Sequence, residues 1–269
     1  MPYSSHQGVR TYYEVAGVGS AMVLVHANPF DHNLFVYQIQ HFSTWFKVIA
    51  TDMRGYGRSD IVETPYTLAD MAGDVLAVCR QENVSQAIVG GVSTGSGIAL
   101  LLGLDRPDFC RAVILVGGSS GSPCTAEELA QPTERMRSYV DVGIHDYHIR
   151  HLTELVSPAF AKSRLGSYLL QSFVEKGRRF GWTAKGIGEV LRARRGTDMT
   201  PRLGTMKAPT LVINGEYDNS LKGGTATAKG VKDAVHRILP GTGHACNIED
   251  PAGFDAFVME FLEEHRLLP

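Results

Sequence analysis

Gly91-Val92-Ser93-Thr94-Gly95 sets a hydroxyl between two residues that have no side chains. The β-rich run Gln86-Ala87-Ile88-Val89 leads into it and the apolar run Ile98-Ala99-Leu100-Leu101-Leu102 follows it. This reads as strand, sharp turn and helix with Ser93 at the apex. Such a turn holds the serine in a strained conformation, and bulk two residues to either side would collide. It also turns the backbone N–H of Thr94 toward the space that the hydroxyl enters. A serine hydroxyl is a poor nucleophile at neutral pH. It needs a base within hydrogen-bond reach, and the base needs a carboxylate to orient it. Asp218, in Asn214-Gly215-Glu216-Tyr217-Asp218, and His244, in Pro240-Gly241-Thr242-Gly243-His244, are the candidates for the carboxylate and the base. Glu216 is the substitute carboxylate. The chemistry implied is nucleophilic attack on a carbonyl.

These residues need elements to bring them together. Thr11–Val15, Met22–Val25, Lys47–Thr51, Arg111–Val116, Thr210–Ile213 and His236–Leu239 read as strands, the last three as buried ones. Thr67 and Asp70 suit a helix start, and the helix they open carries Met71, Val75, Leu76 and Val78. Residues 251–268 place Phe254, Phe257, Val258, Phe261 and Leu262 on one helical face. Strands alternating with helices predict an α/β fold, a mostly parallel sheet covered on both faces. Asp218 and His244 then follow strands, as Ser93 does, and all three fall at the same sheet edge. Residues 122–200 break the rhythm as several amphipathic helices without a strand. The expected organisation is a core of residues 1–121 and 201–269 with a helical lid, 122–200, over the strand ends where open α/β sheets bind ligands.

Bulk composition narrows the function classes. Of 269 residues, 43% are apolar and 20% charged, ordinary for a globular chain and against disorder. A net charge of −2 invites neither nucleic acid nor an anionic membrane. The N-terminal stretch has no secretory pattern and no apolar run is long enough to span a bilayer. Cys79, Cys110, Cys124 and Cys246 show neither CxxC nor metal-site spacing, so reduced thiols in the cytoplasm are expected. His145, His148 and His151 recur at helical spacing without a completing carboxylate or cysteine, and read as a solvated or partly packed helix face. Lys176, Arg178 and Arg179, with Arg192, Arg194 and Arg195, read as solvated faces. Arg135 and Arg137 are weak candidates to meet a substrate carboxylate. Arg54 to Asp60 reads as a turn whose charges brace neighbouring loops.

Taken in order, His26-Ala27-Asn28-Pro29, Asp52-Met53-Arg54-Gly55-Tyr56-Gly57-Arg58-Ser59-Asp60, the Ser93 turn, the Asp218 stretch and Gly243-His244 make the chain resemble an α/β-hydrolase-fold serine hydrolase. The likeness runs nearly end to end. The helical insertion and the stretch from Gly243 through Glu249-Asp250-Pro251 and Phe254 look most like 3-oxoadipate enol-lactonases and related small esterases. The resemblance implies Ser93 as nucleophile, His244 as base, Asp218 as its orienting acid, and the backbone N–H groups of Asn28 and Thr94 as oxyanion hole. His26-Ala27 stands where the family usually has His-Gly, and His26 reads as a structural hydrogen-bonding histidine. Epoxide hydrolases and haloalkane dehalogenases share the Arg54–Ser59 pattern but use an aspartate nucleophile. The implied function is hydrolysis of a small ester or lactone with no metal or organic cofactor, no nucleic-acid or membrane partner, and a homo-oligomer left open. C–C hydrolysis of a ring-cleavage product by the same triad, and a ligand-binding protein that kept the fold, are the alternatives.

Overall fold

Runs of buried aliphatic residues make the middle of one sheet. The computed structural model describes residues 2–121, 123–141 and 143–269. Ser122, the expected first residue of the insertion, lies outside the described residues, as does Met1. The strands are β1 (Tyr3–His6), β2 (Val9–Ala16), β3 (Ala21–Val25), β4 (Lys47–Thr51), β5 (Ala87–Val92), β6 (Cys110–Val116), β7 (Thr210–Gly215) and β8 (Val235–Leu239). They form one eight-stranded sheet in the order β1-β2-β4-β3-β5-β6-β7-β8. The pairings β1–β2 and β2–β4 are antiparallel, and those from β4 through β8 are parallel. β3, β5 and β7 are buried along their whole length, as strands covered on both faces must be.

The helices are α1 (Val36–Phe42), α2 (Leu68–Gln81), α3 (Thr94–Asp105), α4 (Ala126–Ala130), α5 (Glu134–Asp141), α6 (Ile144–Glu154), α7 (Pro158–Lys162), α8 (Arg164–Arg179), α9 (Ala184–Arg195), α10 (Leu221–Gly230), α11 (Cys246–Glu249) and α12 (Pro251–Glu264). α2 opens on a reciprocal capping box between Thr67 and Asp70. Strand alternation divides the core: Val23 and Val25 face α2 and α3, while Met22 and Leu24 face α1 and α12. On α12, Phe254, Val258, Phe261 and Leu262 are buried and Phe257 packs beside them. Each such side chain contributes roughly 2 kcal/mol of transfer free energy. α4 to α9 all fall between β6 and β7.

One expectation needs correction, and one strand was not foreseen. β8 is not a buried strand. It closes the sheet at one edge, with Ile238 46% exposed. β1 escaped the sequence pattern because it is four residues long and pairs on one side only.

The Arg54–Asp60 turn does brace its neighbours. Arg54 grips Asp74 of α2 through two bonds of 2.7 Å, both side chains buried. Asp52 accepts the N–H groups of His32 and Arg58. Gly57 lies so close that a Cβ there would sit 2.0 Å from the Asp52 carboxylate.

Candidate active site

β5 delivers Ser93 directly into α3. The serine takes φ 55° and ψ −109°, a region that side-chain-bearing residues rarely occupy. Its N–H donates to Val116 O at 2.7 Å, and its carbonyl accepts from Gly97 N at 3.1 Å, so the turn is bonded on both sides. The flanking glycines are required by close approach. A Cβ on Gly91 would lie 2.2 Å from the Gly95 carbonyl, and one on Gly95 would lie 2.0 Å from Val25 O. The hydroxyl of Ser93 has no hydrogen-bond partner among the described residues and opens into a cavity of about 650 Å³.

Asp218 follows β7 and His244 follows β8, and the two meet. His244 Nδ1 lies 2.7 Å from Asp218 Oδ1. The same carboxylate also accepts from Asn214 Nδ2 at 2.8 Å and from the backbone and hydroxyl of Ser220 at 2.8 Å. Burial works to raise its pKa. The hydrogen bond and charge of His244, with Asn214 and the Ser220 N–H, outweigh it and hold Asp218 at about 2. Asp218 therefore stays ionised and keeps a proton on Nδ1. Glu216 turns elsewhere and accepts the N–H of Gly241 at 2.8 Å. Behind the imidazole stands Gly117, where a Cβ would come 2.9 Å from Nδ1. His244 and Ser93 line the same cavity without a direct hydrogen bond between them.

Asn28 and Thr94 also border this cavity, and the backbone N–H of neither donates to another group among the described residues. Thr94 is the first residue of α3, so its N–H is one of the helix's free donors. Asn28 is aimed by its neighbour. The Ala27 carbonyl accepts from His26 Nδ1 and from Phe30 N, both at 2.8 Å. A trans peptide points N–H opposite to C=O, so anchoring that carbonyl aims the Asn28 N–H the other way. His26 Nε2 in turn accepts from Met53 N at 2.9 Å. Burial lowers the pKa of this ring, which keeps it neutral and able to do both.

Other residues reach the site without a clear mark in the sequence. Arg135 of α5 and Arg194 of α9 line the cavity, and neither has a carboxylate within ion-pair distance among the described residues. Arg194 corrects its reading as a solvated residue. It donates to the carbonyls of Ser119 and Thr197, and a Cβ on Gly97 of α3 would meet its Nε at 2.7 Å. His148 and His151 correct theirs too, each 2% exposed. His148 packs edge-on to Trp182 and Tyr139, His151 borders the cavity, and His145 turns to Arg178 at 2.9 Å. Their spacing of three was the only available signal, and it did not say which face met the core.

Residues 20–251 match the alpha/beta hydrolase fold family, and the chain belongs to it. It is similar to 3-oxoadipate enol-lactonase 1 of Acinetobacter baylyi, 24% identical over 257 residues that cover 93% of this chain and 92% of that one. It is also similar to the 2-hydroxy-6-oxononadienedioate/2-hydroxy-6-oxononatrienedioate hydrolase of Burkholderia vietnamiensis, 25% identical across 94% of this chain and 91% of that one. In backbone it resembles the enol-lactonase of Burkholderia xenovorans, with a TM-score of 0.87 at 23% identity over 97% of this chain and all 100% of that one.

Proposed function

We propose that the protein is a serine hydrolase that cleaves a small carboxylic ester or lactone through an acyl-enzyme. One observation carries the reading. Ser93 is forced to the apex of a turn that tolerates no side chain at Gly91 or Gly95, and it opens into the cavity lined by an Asp218-bound His244. In this reading Asp218 fixes the Nδ1–H tautomer and leaves Nε2 as base. Ser93 Oγ attacks the carbonyl while Nε2 takes its proton. The developing oxyanion accepts from the N–H groups of Thr94 and Asn28, whose removal typically costs about 3 kcal/mol of barrier lowering each. His244 then protonates the leaving alkoxide, and a water deprotonated by the same ring releases the acid. No metal or organic cofactor enters any step.

The helices between β6 and β7 act as a lid, because α5, α6 and α9 supply Arg135, His151 and Arg194 to the cavity wall. The partner is a small molecule, and four unpaired cysteines suit the cytoplasm. A second reading, C–C hydrolysis of an anionic ring-cleavage product by the same residues, is favoured by Arg135 and Arg194 of the wall, which have no ion-pair partner among the described residues. The test is turnover of p-nitrophenyl acetate and butyrate, a γ-lactone and a dienone acid by the wild type and by Ser93→Ala. Ester or lactone turnover that falls at least ~1,000-fold in the variant is expected. Turnover that survives the substitution would overturn the assignment of Ser93, and preference for the dienone acid would select the second reading.

A further inference from the structure

Asp218 holds the imidazole of His244, and Asp218 must itself be held. The last torsion of an aspartate is broad and nearly two-fold, so the plane of its carboxylate is set by what bonds it. Oδ1 lies 2.7 Å from His244 Nδ1 and accepts from Ser220 N at 2.8 Å. The Ser220 hydroxyl stands 2.8 Å from Oδ1 and 2.9 Å from Oδ2, so it does not tell the two oxygens apart. The amide of Asn214 does. Its Nδ2 donates at 2.8 Å to Oδ2, the oxygen that His244 leaves free. Donors on both oxygens then fix the plane that faces the imidazole.

Asn214 lies near the end of β7 and is fully buried. α10 leaves room for its amide and no more, because a Cβ on Gly224 would collide with Oδ1 and lie 2.9 Å from Nδ2. An ionised carboxylate only accepts, so the amide must turn Nδ2 to Asp218 and keep Oδ1 for another donor. That donor is His236 of β8, whose Nε2 lies 3.0 Å from Oδ1. An amide oxygen only accepts, so His236 Nε2 carries a hydrogen. Burial lowers the pKa of this half-buried ring, which keeps it neutral without changing the direction of the bond. A reversed amide would set oxygen against carboxylate at one end and N–H against N–H at the other. The bonds therefore run one way, from His236 on the edge strand through Asn214 to Asp218, and so to His244 at the cavity.

We propose that Asn214 is a positioning residue for the Asp218 carboxylate, and that His236, on the outermost strand, sets the orientation of its amide. This rests on the hydrolase reading above. Such residues act on the transition state through His244 and leave substrate binding alone, so kcat falls while KM changes little. The measurement is kcat and KM for p-nitrophenyl butyrate. Asn214→Leu, close in size but without a donor, lowers kcat by on the order of 100-fold, the loss that a small misplacement brings, and His236→Phe, which keeps a ring but lets the amide turn, by ~10-fold. His236→Gln offers an amide N–H and recovers most of that loss. His236 is half-buried at the sheet edge, so its variants fold even where Asn214→Leu does not. A second readout needs no turnover. In proton NMR the His244 Nδ1–H, bonded to an ionised carboxylate, gives a far-downfield resonance. It is assigned by its loss in His244→Gln, since His32 and His41 also bond carboxylates. It shifts or broadens in Asn214→Leu and His236→Phe, and returns in His236→Gln. A change of packing alone leaves it in place.

Ser93-dependent turnover with kcat unchanged in either Asn214→Leu or His236→Phe would overturn the proposal and leave the hydrolase reading standing. A loss confined to KM, or one that His236→Gln fails to restore, would do the same. If the wild type hydrolyses nothing, the hydrolase reading fails and the resonance decides. A shift in His236→Phe that His236→Gln reverses supports the positioning of Asp218 by this line of bonds. A resonance that is unmoved, or absent from the wild type, overturns it.

Discussion

At Ser93 the backbone stores strain at the residue that would do the chemistry. A non-glycine residue at φ 55° and ψ −109° costs on the order of 1–3 kcal/mol, held in place by the Val116 and Gly97 hydrogen bonds. Glycine adopts such angles freely but enlarges the unfolded ensemble by up to ~1 kcal/mol. Ser93→Gly therefore raises the thermal midpoint by about 2 °C while removing turnover, and Ser93→Ala removes turnover with no such gain, which calorimetry of the two variants reads directly. His26 works at the same scale. Its bond to the Ala27 carbonyl aims the Asn28 N–H, so an alanine in place of the usual glycine need not free the donor.

Among the elements, the join between α6, α7 and the His244 loop is the one that couples insertion to core. Glu249 of α11 holds it from below with two short bonds to backbone N–H groups, Ser157 at the start of α7 and Gly243 beside His244. Burial raises the Glu249 pKa against the pull of those N–H groups. Glu249→Ala leaves both donors unpaired and costs about 2–4 kcal/mol by the usual penalty for hydrogen bonds to a charged acceptor. The expected result is a lower midpoint in urea and a fall in kcat larger than any change in KM. A variant with wild-type stability and kinetics would show that the join is dispensable. α3 is the opposite case. Ile98 to Leu104 are buried on every side because the helix lies against the sheet and beneath α2 and α9, so it reads as apolar throughout rather than as a stripe.

For the molecule as a whole, parallel register does the assembling. β3, β5, β7 and β8 run the same way, so Asn28, Ser93, Asp218 and His244, spread over most of the chain, arrive at one edge of the sheet. The helices between β6 and β7 carry buried neutral histidines, His148 and His151, which ties stability to pH. His148 and His151 are held at about 3, by burial first and then by neighbouring His145, His151, Arg135 and His244, against an ordinary value of 6.5. Between those values the unfolded chain binds protons that the folded one refuses, so stability present above pH 6.5 is lost as pH falls toward 3. Asp218 acts with the same sign in a lower window. Its contribution persists down to 3.8 and fades only toward 2, so pH 4 to 6.5 separates the two. In that window stability falls by up to about 1.4 kcal/mol per pH unit for each such histidine. His148→Phe flattens the dependence in urea unfolding, and an unaltered slope would count against it.

Much of this was legible from local pattern. Ser93 announced itself because a turn that tight admits only glycine at two flanking positions, a constraint written in five consecutive residues. Asp218 and His244 were readable because each follows a strand by a few residues, and parallel strands end together. The central strands and α12 followed from apolar periodicity. What the linear order could not carry was facing. His148 and His151 have the composition of a solvated helix, and Arg194 sits in a basic cluster that would suit water equally well. The two histidines are buried and Arg194 is half-buried because α6 and α9 pack onto the core and rotate those positions inward. That rotation is set by contacts with residues tens to hundreds of positions away, such as Ala245 against Leu155 and Gly97 against Arg194. The groups proposed to react were thus local in their signals, while the cavity wall around them was settled by long-range packing.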